Sequence, residues 1–345
     1  MRRISIIIIS IYFFTSLESC QRDNITNPTI SIIPSNTSKK AFTSINLVFP
    51  TKTMSSSSTY TYIPTVVGTF IGGGMGKMVF EYEAGVNAII GVVDLKEPNK
   101  KIIIGDYLSA NYPSWSSFYQ RLYYYAKLNS ENDNDLRIYS SNIDGSDIKP
   151  VNIPNNIEPI FITISPDGKQ VLAWASSTVG KTSILYKGEF DGNSISNMKI
   201  FHEGGFPSWS PDGSKILFSL GYDMRTYNIY VENIDGTNKI NLSAKTNSDV
   251  FAVYPIWSPD GKKIIYNTNR DNNPEIYEMN SDGSNPIKIY DKGCNPTYSP
   301  DGKLLAFTMG GNYCWGNIYI MNNDGTNVVK LINCLNNCRN PIWIS

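Results

Sequence analysis

The sequence predicts an all-β chain: a six-bladed β-propeller of four-stranded blades, closed by the C-terminal strand joining the first blade. Three observations predict it. The tetrapeptide Ser-Pro-Asp-Gly begins at Ser165, Ser210, Ser258 and Ser299. A Pro-x-aromatic element precedes three of these, as Pro207 with Trp209, Pro255 with Trp257 and Pro296 with Tyr298. It recurs without the tetrapeptide at Pro113 with Trp115 and at Pro341 with Trp343. A third element reads IYSSNIDG from Ile138, IYVENIDG from Ile229, IYEMNSDG from Ile276 and IYIMNNDG from Ile318, with LYKGEFDG from Leu185 as a weaker copy. Self-similarity at a fixed period marks a repeat architecture, in which each unit buries its faces only against its neighbours.

Within a unit the elements fall in a set order. The first strand carries the aromatic and ends at the Pro-Asp-Gly turn. The second is apolar, as in KILFSL, KIIYNT and LLAFTM. The third is the Ile-Tyr strand, and the fourth is short, as in IKIYD and VVKLI. Asp-Gly between strand-like runs is a hairpin signal, because glycine accepts the positive φ that the turn needs. From Pro113, the prolines at 113, 159, 207, 255, 296 and 341 lie 46, 48, 48, 41 and 45 residues apart. Near Pro159 and Phe161 the spacing slips by three residues, and a register set by the tetrapeptide puts Ile164 in the aromatic's place. Four-stranded units of this length, repeated around an axis, are propeller blades. NPIWIS supplies a sixth inner strand at the C-terminal end. MVFEY, AIIGVVDL and KKIIIGDY, within residues 65–110, supply three outer strands lacking an inner one. Joining the two leaves no open sheet edge in the ring.

These motifs resemble the TolB-like β-propeller repeat, with its W-S-P-D-G and I-Y-x-x-x-x-D-G signatures. The resemblance spans residues 110–345 and, more weakly, 65–110. It implies the propeller fold. Because many envelope proteins carry such blades, it does not imply a particular activity.

The N-terminus, MRRISIIIISIYFFTSLESC, reads as an export signal: Arg2 and Arg3, then an apolar run from Ile4 to Phe14, too short to span a membrane as a helix. LESC resembles a bacterial lipobox, with Cys20 as the lipidated residue. Residues 1–19 are therefore expected to be a lipoprotein signal peptide, 20–60 a Ser/Thr/Asn-rich tether, and 61–345 the propeller. Gln21 stands where Asp would retain a lipoprotein on the inner membrane of enteric bacteria, so the expected address is the outer membrane.

Composition narrows the function. Thirty basic residues balance 30 acidic ones, so no basic excess points to nucleic acid. The lone histidine, His202 in FHEGGFP, excludes sites built on several imidazoles; it is expected in a loop between blades. ASSTVGKT, Ala175 to Thr182, fits a loose phosphate-binding loop, but such a loop needs a helix after it. Here SILY follows, so the segment is expected to be a hairpin loop, with no nucleotide and no cofactor. Turn chemistry accounts for the Asp residues of the repeats, and no metal site is expected. Tyr123 to Tyr125 should alternate between the two faces of a sheet as core.

Cys294, Cys314, Cys334 and Cys338 fall in the last two units, in loop types that share one face. In an exported protein they fit two disulfides; Cys294–Cys314 with Cys334–Cys338 joins near neighbours. The same face carries long loops with residue types favoured at binding hot spots: Tyr222, Arg225, Phe251, Tyr254, Arg270, Tyr313 and Trp315. The expected function is a lipid-anchored envelope scaffold that binds a protein or a glycan without catalysis. A propeller-type lyase or hydrolase and a purely structural envelope part are the alternatives.

Overall fold

The structure is a computed structural model. It describes residues 65–66, 76–84, 87–96, 101–105, 107–128, 136–154, 157–176, 183–221, 226–243, 251–269, 273–310, 314–334 and 337–344. The signal peptide, Cys20 and the tether lie outside the described residues.

Among these residues every regular element is a strand, and the strands form six antiparallel sheets. The first blade runs outward as Cys338–Ile344, Lys77–Ala84, Asn87–Asp94 and Lys101–Ile103. The second is Tyr107–Ser116, Arg121–Leu128, Arg137–Ser141 and Lys149–Pro150. The third is Pro159–Ile164, Gln170–Ser176, Ser183–Phe190 and Ile195–Glu203. The fourth is Gly205–Trp209, Lys215–Leu220, Asn228–Asn233 and Ile240–Asn241, and the fifth Ala252–Trp257, Lys263–Thr268, Glu275–Asn280 and Ile287–Asp291. The sixth, Gly293–Tyr298, Leu304–Met309, Asn317–Asn322 and Val329–Asn333, carries the short strand Thr65–Val66 on its outer edge. The six inner strands touch one another in sequence around the axis. The C-terminal strand completes the first blade, with Ile342, Trp343 and Ile344 opposite Val79, Met78 and Lys77. Sequence reasoning did not anticipate the fifth strand of the last blade. It pairs Thr65 with Asn333 and Val66 with Ile332, occupying backbone groups that an outer edge otherwise presents unpaired.

The core is divided among the six seams between blades, because successive residues of a strand face opposite sides of its sheet. In the second blade, Leu122 and Tyr124 pack with Val79, Ile90 and Ile344 of the first, whereas Tyr123 packs with Ile162, Val171 and Phe190 of the third. Tyr123 and Tyr124 are each about 1% exposed, so the tyrosine run is core. The register also resolves the slip near Pro159. Ile164 pairs with Val171 as Trp209 pairs with Ile216 and Trp257 with Ile264, so it takes the aromatic's place.

The Ser-Pro-Asp-Gly turns share one geometry. In the third blade Gly168, at φ 73°, closes the turn by donating its N–H to Ser165 O. Ser165 Oγ donates to Asp167 Oδ1 at 2.6 Å and accepts from Gln170 N at 2.9 Å. The pattern repeats at Ser210, Ser258 and Ser299. These serine hydroxyls are the largest cause holding the four Asp carboxyls below their usual range.

Ser176 pairs with Ser183. The residues between them, which hold most of ASSTVGKT and lie outside the described set, therefore join two paired strands, and no helix follows to face a phosphate.

Candidate binding site at the axial mouth

The element that shapes the axis is a bulge in the inner strands. Ladder register jumps between Asn111 and Ser114, Gly205 and Ser208, Val253 and Ile256, and Cys294 and Thr297, with a matching jump in the closing strand. Each skipped pair ends in the proline of the Pro-x-aromatic element. Proline has no N–H to give to a ladder, so it is tolerated where the ladder is interrupted. The residue before each of these prolines adopts the left-handed conformation: Tyr112 at φ 53°, Phe206 at 55°, Tyr254 at 55°, Asn295 at 51° and Asn340 at 50°. That is a costly backbone state for large side chains. The third blade, whose proline sits elsewhere, has Phe161 at the equivalent position without the positive φ.

The side chains so placed meet at the axis on the face where the inner strands begin. The Phe206 and Tyr254 ring centroids are 4.1 Å apart, and Phe206 lies 4.4 Å from Trp174, which in turn lies 6.0 Å from Tyr112. Asn295 Nδ2 donates to Asn340 Oδ1 at 2.6 Å. Arg339 lies with its guanidinium 3.9 Å from the Trp315 ring centroid and 5.6 Å from that of Tyr112. Two rings, Trp315 and Tyr112, thus flank the arginine.

Beneath them Glu81, on the second strand of the first blade, is fully buried. Its Oε1 accepts from Tyr112 N and Asn340 Nδ2, and its Oε2 from Arg339 Nε, all at 2.7 Å. The same second-strand position one blade before the sixth is Asn267, whose Oδ1 accepts from Asn295 N at 2.7 Å. At these two seams a polar side chain therefore satisfies the backbone N–H that the next blade's bulge frees from its ladder, as buried donors require. Burial raises the Tyr254 hydroxyl well above the usual phenol range. Tyr112, Arg339 and Glu81 also act on it, although Tyr112 belongs to the blade opposite. Burial likewise raises the Tyr112 hydroxyl.

Two disulfides brace this face. Cys294–Cys314 ties the start of the sixth inner strand to the loop that carries Trp315, and Cys334–Cys338 leads into Arg339. The Gly316 and Cys338 backbones exchange hydrogen bonds at 2.9 and 2.6 Å, holding the Trp315 segment against the closing strand.

Of the residues expected on this face, Tyr254 and Trp315 belong to the axial cluster. Phe251 packs edge-on against Tyr227 at 5.6 Å. Tyr222, Arg225, Arg270 and Tyr313 lie outside the described residues. Sequence reasoning missed Tyr112, Phe206, Asn295, Asn340, Glu81 and Arg339. The available signal was positional: the residue before each repeat proline, and the fifth residue of each second strand. His202 is a correction. It lies on the outermost strand of the third blade, opposite Leu185, and not in a loop between blades. It holds the ladder position that Tyr290, opposite Ile276, holds in the fifth blade. There His202 Nε2 reaches the buried Glu232 of the fourth blade at 2.8 Å and its ring stacks on Phe218. On the opposite face, clefts of about 400 and 480 Å³ lie between the fourth and fifth and the fifth and sixth blades, lined largely by residues of the repeat turns.

Comparisons with known proteins agree with this architecture. The family model described as the TolB beta propeller domain matches residues 113–312, more than half of the chain. No curated protein matches the sequence. Among solved structures, TolB from Acinetobacter baumannii superposes with a TM-score of 0.63 at 18% identity, over 81% of this chain and 68% of that one. An oligogalacturonate lyase from Vibrio parahaemolyticus gives 0.51 at 13% identity, over 74% of each chain. A chain of a nidogen/laminin complex gives 0.54 at 10% identity, over 75% of this chain and 97% of that one. At these identities the likenesses show the fold alone. With its repeats matched to the family model and its six blades closed as described, the chain belongs to the TolB β-propeller family.

Proposed function

We propose that this chain is an exported, non-catalytic binding propeller that captures another envelope protein at the axial mouth, held at the membrane by a lipid on Cys20. The observation that carries the reading is the axial cluster. Five blades place Tyr112, Phe206, Tyr254, Asn295 and Asn340 there in a left-handed backbone conformation, costly for the three ring-bearing residues, where aromatic faces stand beside the partly exposed Arg339. Strain of this kind persists where surrounding structure over-determines it, and it concentrates at ligand clamps. Tyr, Trp and Arg dominate binding hot spots. The nidogen/laminin structure supplies an instance of this fold in a protein complex. Disulfides favour an oxidising compartment, in line with the export signal, and the outer membrane is the address that Gln21 favours.

A carbohydrate-active enzyme is the second reading, supported by the likeness to the lyase fold. It needs a free acid or base near the substrate. At the axis Glu81 is engaged by three donors, and His202 is engaged by Glu232 far out on a blade. The binding reading is therefore preferred.

Affinity capture from envelope extract tests it. Wild type should retain a protein that a folded Phe206→Ala, Tyr254→Ala variant loses, while Lys303→Ala on the turn face keeps it. Equal capture by all three, or cleavage of a glycan panel, would displace the reading. Mass spectrometry of the N-terminal peptide tests the anchor, and an unmodified Cys20 would remove it.

A further inference from the structure

Resting on that binding reading, we infer that the axial mouth recognises a carboxylate carried on an apolar peptide segment of the partner protein, gripped end-on by Arg339. The inventory of donors and acceptors leads there. Both oxygens of Glu81 are engaged. Asn340 Oδ1 accepts from Asn295, and Asn295 Oδ1 accepts from Thr308 Oγ1 at 3.3 Å. What remains unengaged is donor-rich. Arg339 uses Nε on Glu81, its Nη2 makes only a 3.4 Å contact with Asn111 Oδ1, and its Nη1 has no partner among the described residues. The hydroxyls of Tyr112 and Tyr254 likewise have no hydrogen-bond partner among the described residues, and each asparagine amide keeps a second N–H. The open end of a guanidinium matches the planar geometry of a carboxylate.

Placement supports the same class of ligand. Glu81 is fully buried, whereas the Arg339 side chain keeps 23% exposure, so solvent meets the cation and not the anion. Trp315 and Tyr112 flank the guanidinium plane, and the two disulfides hold the Trp315 and Arg339 segments. Such a group is oriented before binding, which lowers the cost of binding. Beside it Phe206 and Tyr254 present apolar ring surface. A sugar would bring many hydroxyls, each a donor that needs an acceptor, and the side-chain oxygens of Glu81, Asn295 and Asn340 are already engaged. A carboxylate on an apolar peptide leaves no such donors unmatched.

The test uses the full chain and two blocked dipeptides, N-acetyl-Phe-Asp-amide and its neutral near-isostere N-acetyl-Phe-Asn-amide, with free galacturonate as a third probe, all by calorimetry. The Asp peptide should bind at least about tenfold more tightly than the Asn peptide, the ratio expected for a charge-assisted bidentate contact. A Glu81→Gln, Arg339→Gln variant, which removes both buried charges together, should abolish that preference. Tyr254→Phe keeps the ring and removes one unengaged hydroxyl. It should weaken the Asp peptide severalfold and leave the Asn peptide unchanged, so the inference stays testable even where the double variant does not fold. Equal binding of the two peptides, the full wild-type preference in a folded double variant or in Tyr254→Phe, or tighter binding of galacturonate than of the Asp peptide would overturn it. Capture lost in the axial alanine variant with no Asp preference would sink the carboxylate inference and leave the protein-binding reading standing. An Asp preference with unaltered capture would do the reverse.

Discussion

Trp343 stands directly opposite Met78 in an antiparallel pair that joins the last inner strand to the first blade. Its ring is buried in the seam with Phe80 of its own blade and Leu331 of the sixth. This pairing closes the ring, so its loss should be felt globally. Trp343→Ala should cost about 3–5 kcal/mol, the usual range for a buried tryptophan. Deleting residues 341–345 should cost more, since it also removes Ile344 from the adjoining seam. Calorimetric melts decide it; an unchanged midpoint in the deletion would mean that the seam does not hold the ring.

Glu81 and Arg339 should behave as one unit. Arg339→Gln leaves a fully buried carboxylate served only by Tyr112 N and Asn340 Nδ2, and should cost about 3–5 kcal/mol, as removing one partner of a buried pair does. Adding Glu81→Gln removes the stranded charge and should recover most of that loss. A double-mutant cycle in urea measures the coupling; a double variant destabilised by the sum of the two single losses would show that the two do not interact.

The repeat made the fold legible, because each blade spells its turns in the chemistry the turns require. Ser-Pro-Asp-Gly and Asp-Gly name hairpins, and two-residue alternation in KILFSL assigns Ile216 and Phe218 to one seam and Leu217 to the other. The unpaired strand around Trp343 and the unpaired outer strands after Lys77 point to each other for the same reason. The axial cluster was less legible. Its members occupy different residue types at one repeat position, so no motif unites Tyr112, Phe206 and Asn340. Their shared feature is a backbone conformation that the following proline does not announce. Glu81 and Arg339 lie 258 positions apart, and only ring closure brings them together. Loop residues such as Phe251 were chosen by composition, which cannot distinguish a ring on the axis from a ring packed on its neighbour Tyr227.

The turn serines should carry measurable stability. Ser210 Oγ accepts from Lys215 N and donates to Asp212, so Ser210→Ala leaves a backbone N–H without its acceptor and should cost about 1–3 kcal/mol. The loss should depend on pH. The Asp212 carboxyl is held low chiefly by the Ser210 hydroxyl. Its contribution is therefore present above the unfolded carboxylate pKa and is lost as pH falls through the lower folded value. Without Ser210 that contribution is smaller, so the stability gap between variant and wild type should narrow on acidification. The effect is small, because Asp212 is exposed to solvent. A gap that widens at acid pH would contradict this account of the turn.

The two disulfides should differ in weight. Cys294–Cys314 closes a sequence separation of 20 and Cys334–Cys338 one of 4. In the chain-entropy model these correspond to roughly 3 and 2 kcal/mol. Converting each pair to serine in turn should therefore destabilise the first variant more than the second. The first bond also fixes Trp315, so its removal should free the indole from Arg339 and raise its accessibility to a fluorescence quencher. The second bond leads into Arg339 along a strand that the ladder with Lys77–Ala84 already holds, so its removal should leave Trp315 quenching near wild type. Thiol labelling of the non-reduced protein provides the control, with no label expected at any of the four positions. Four free thiols, or a larger loss from the short bridge than from the long one, would overturn the assignment of these roles.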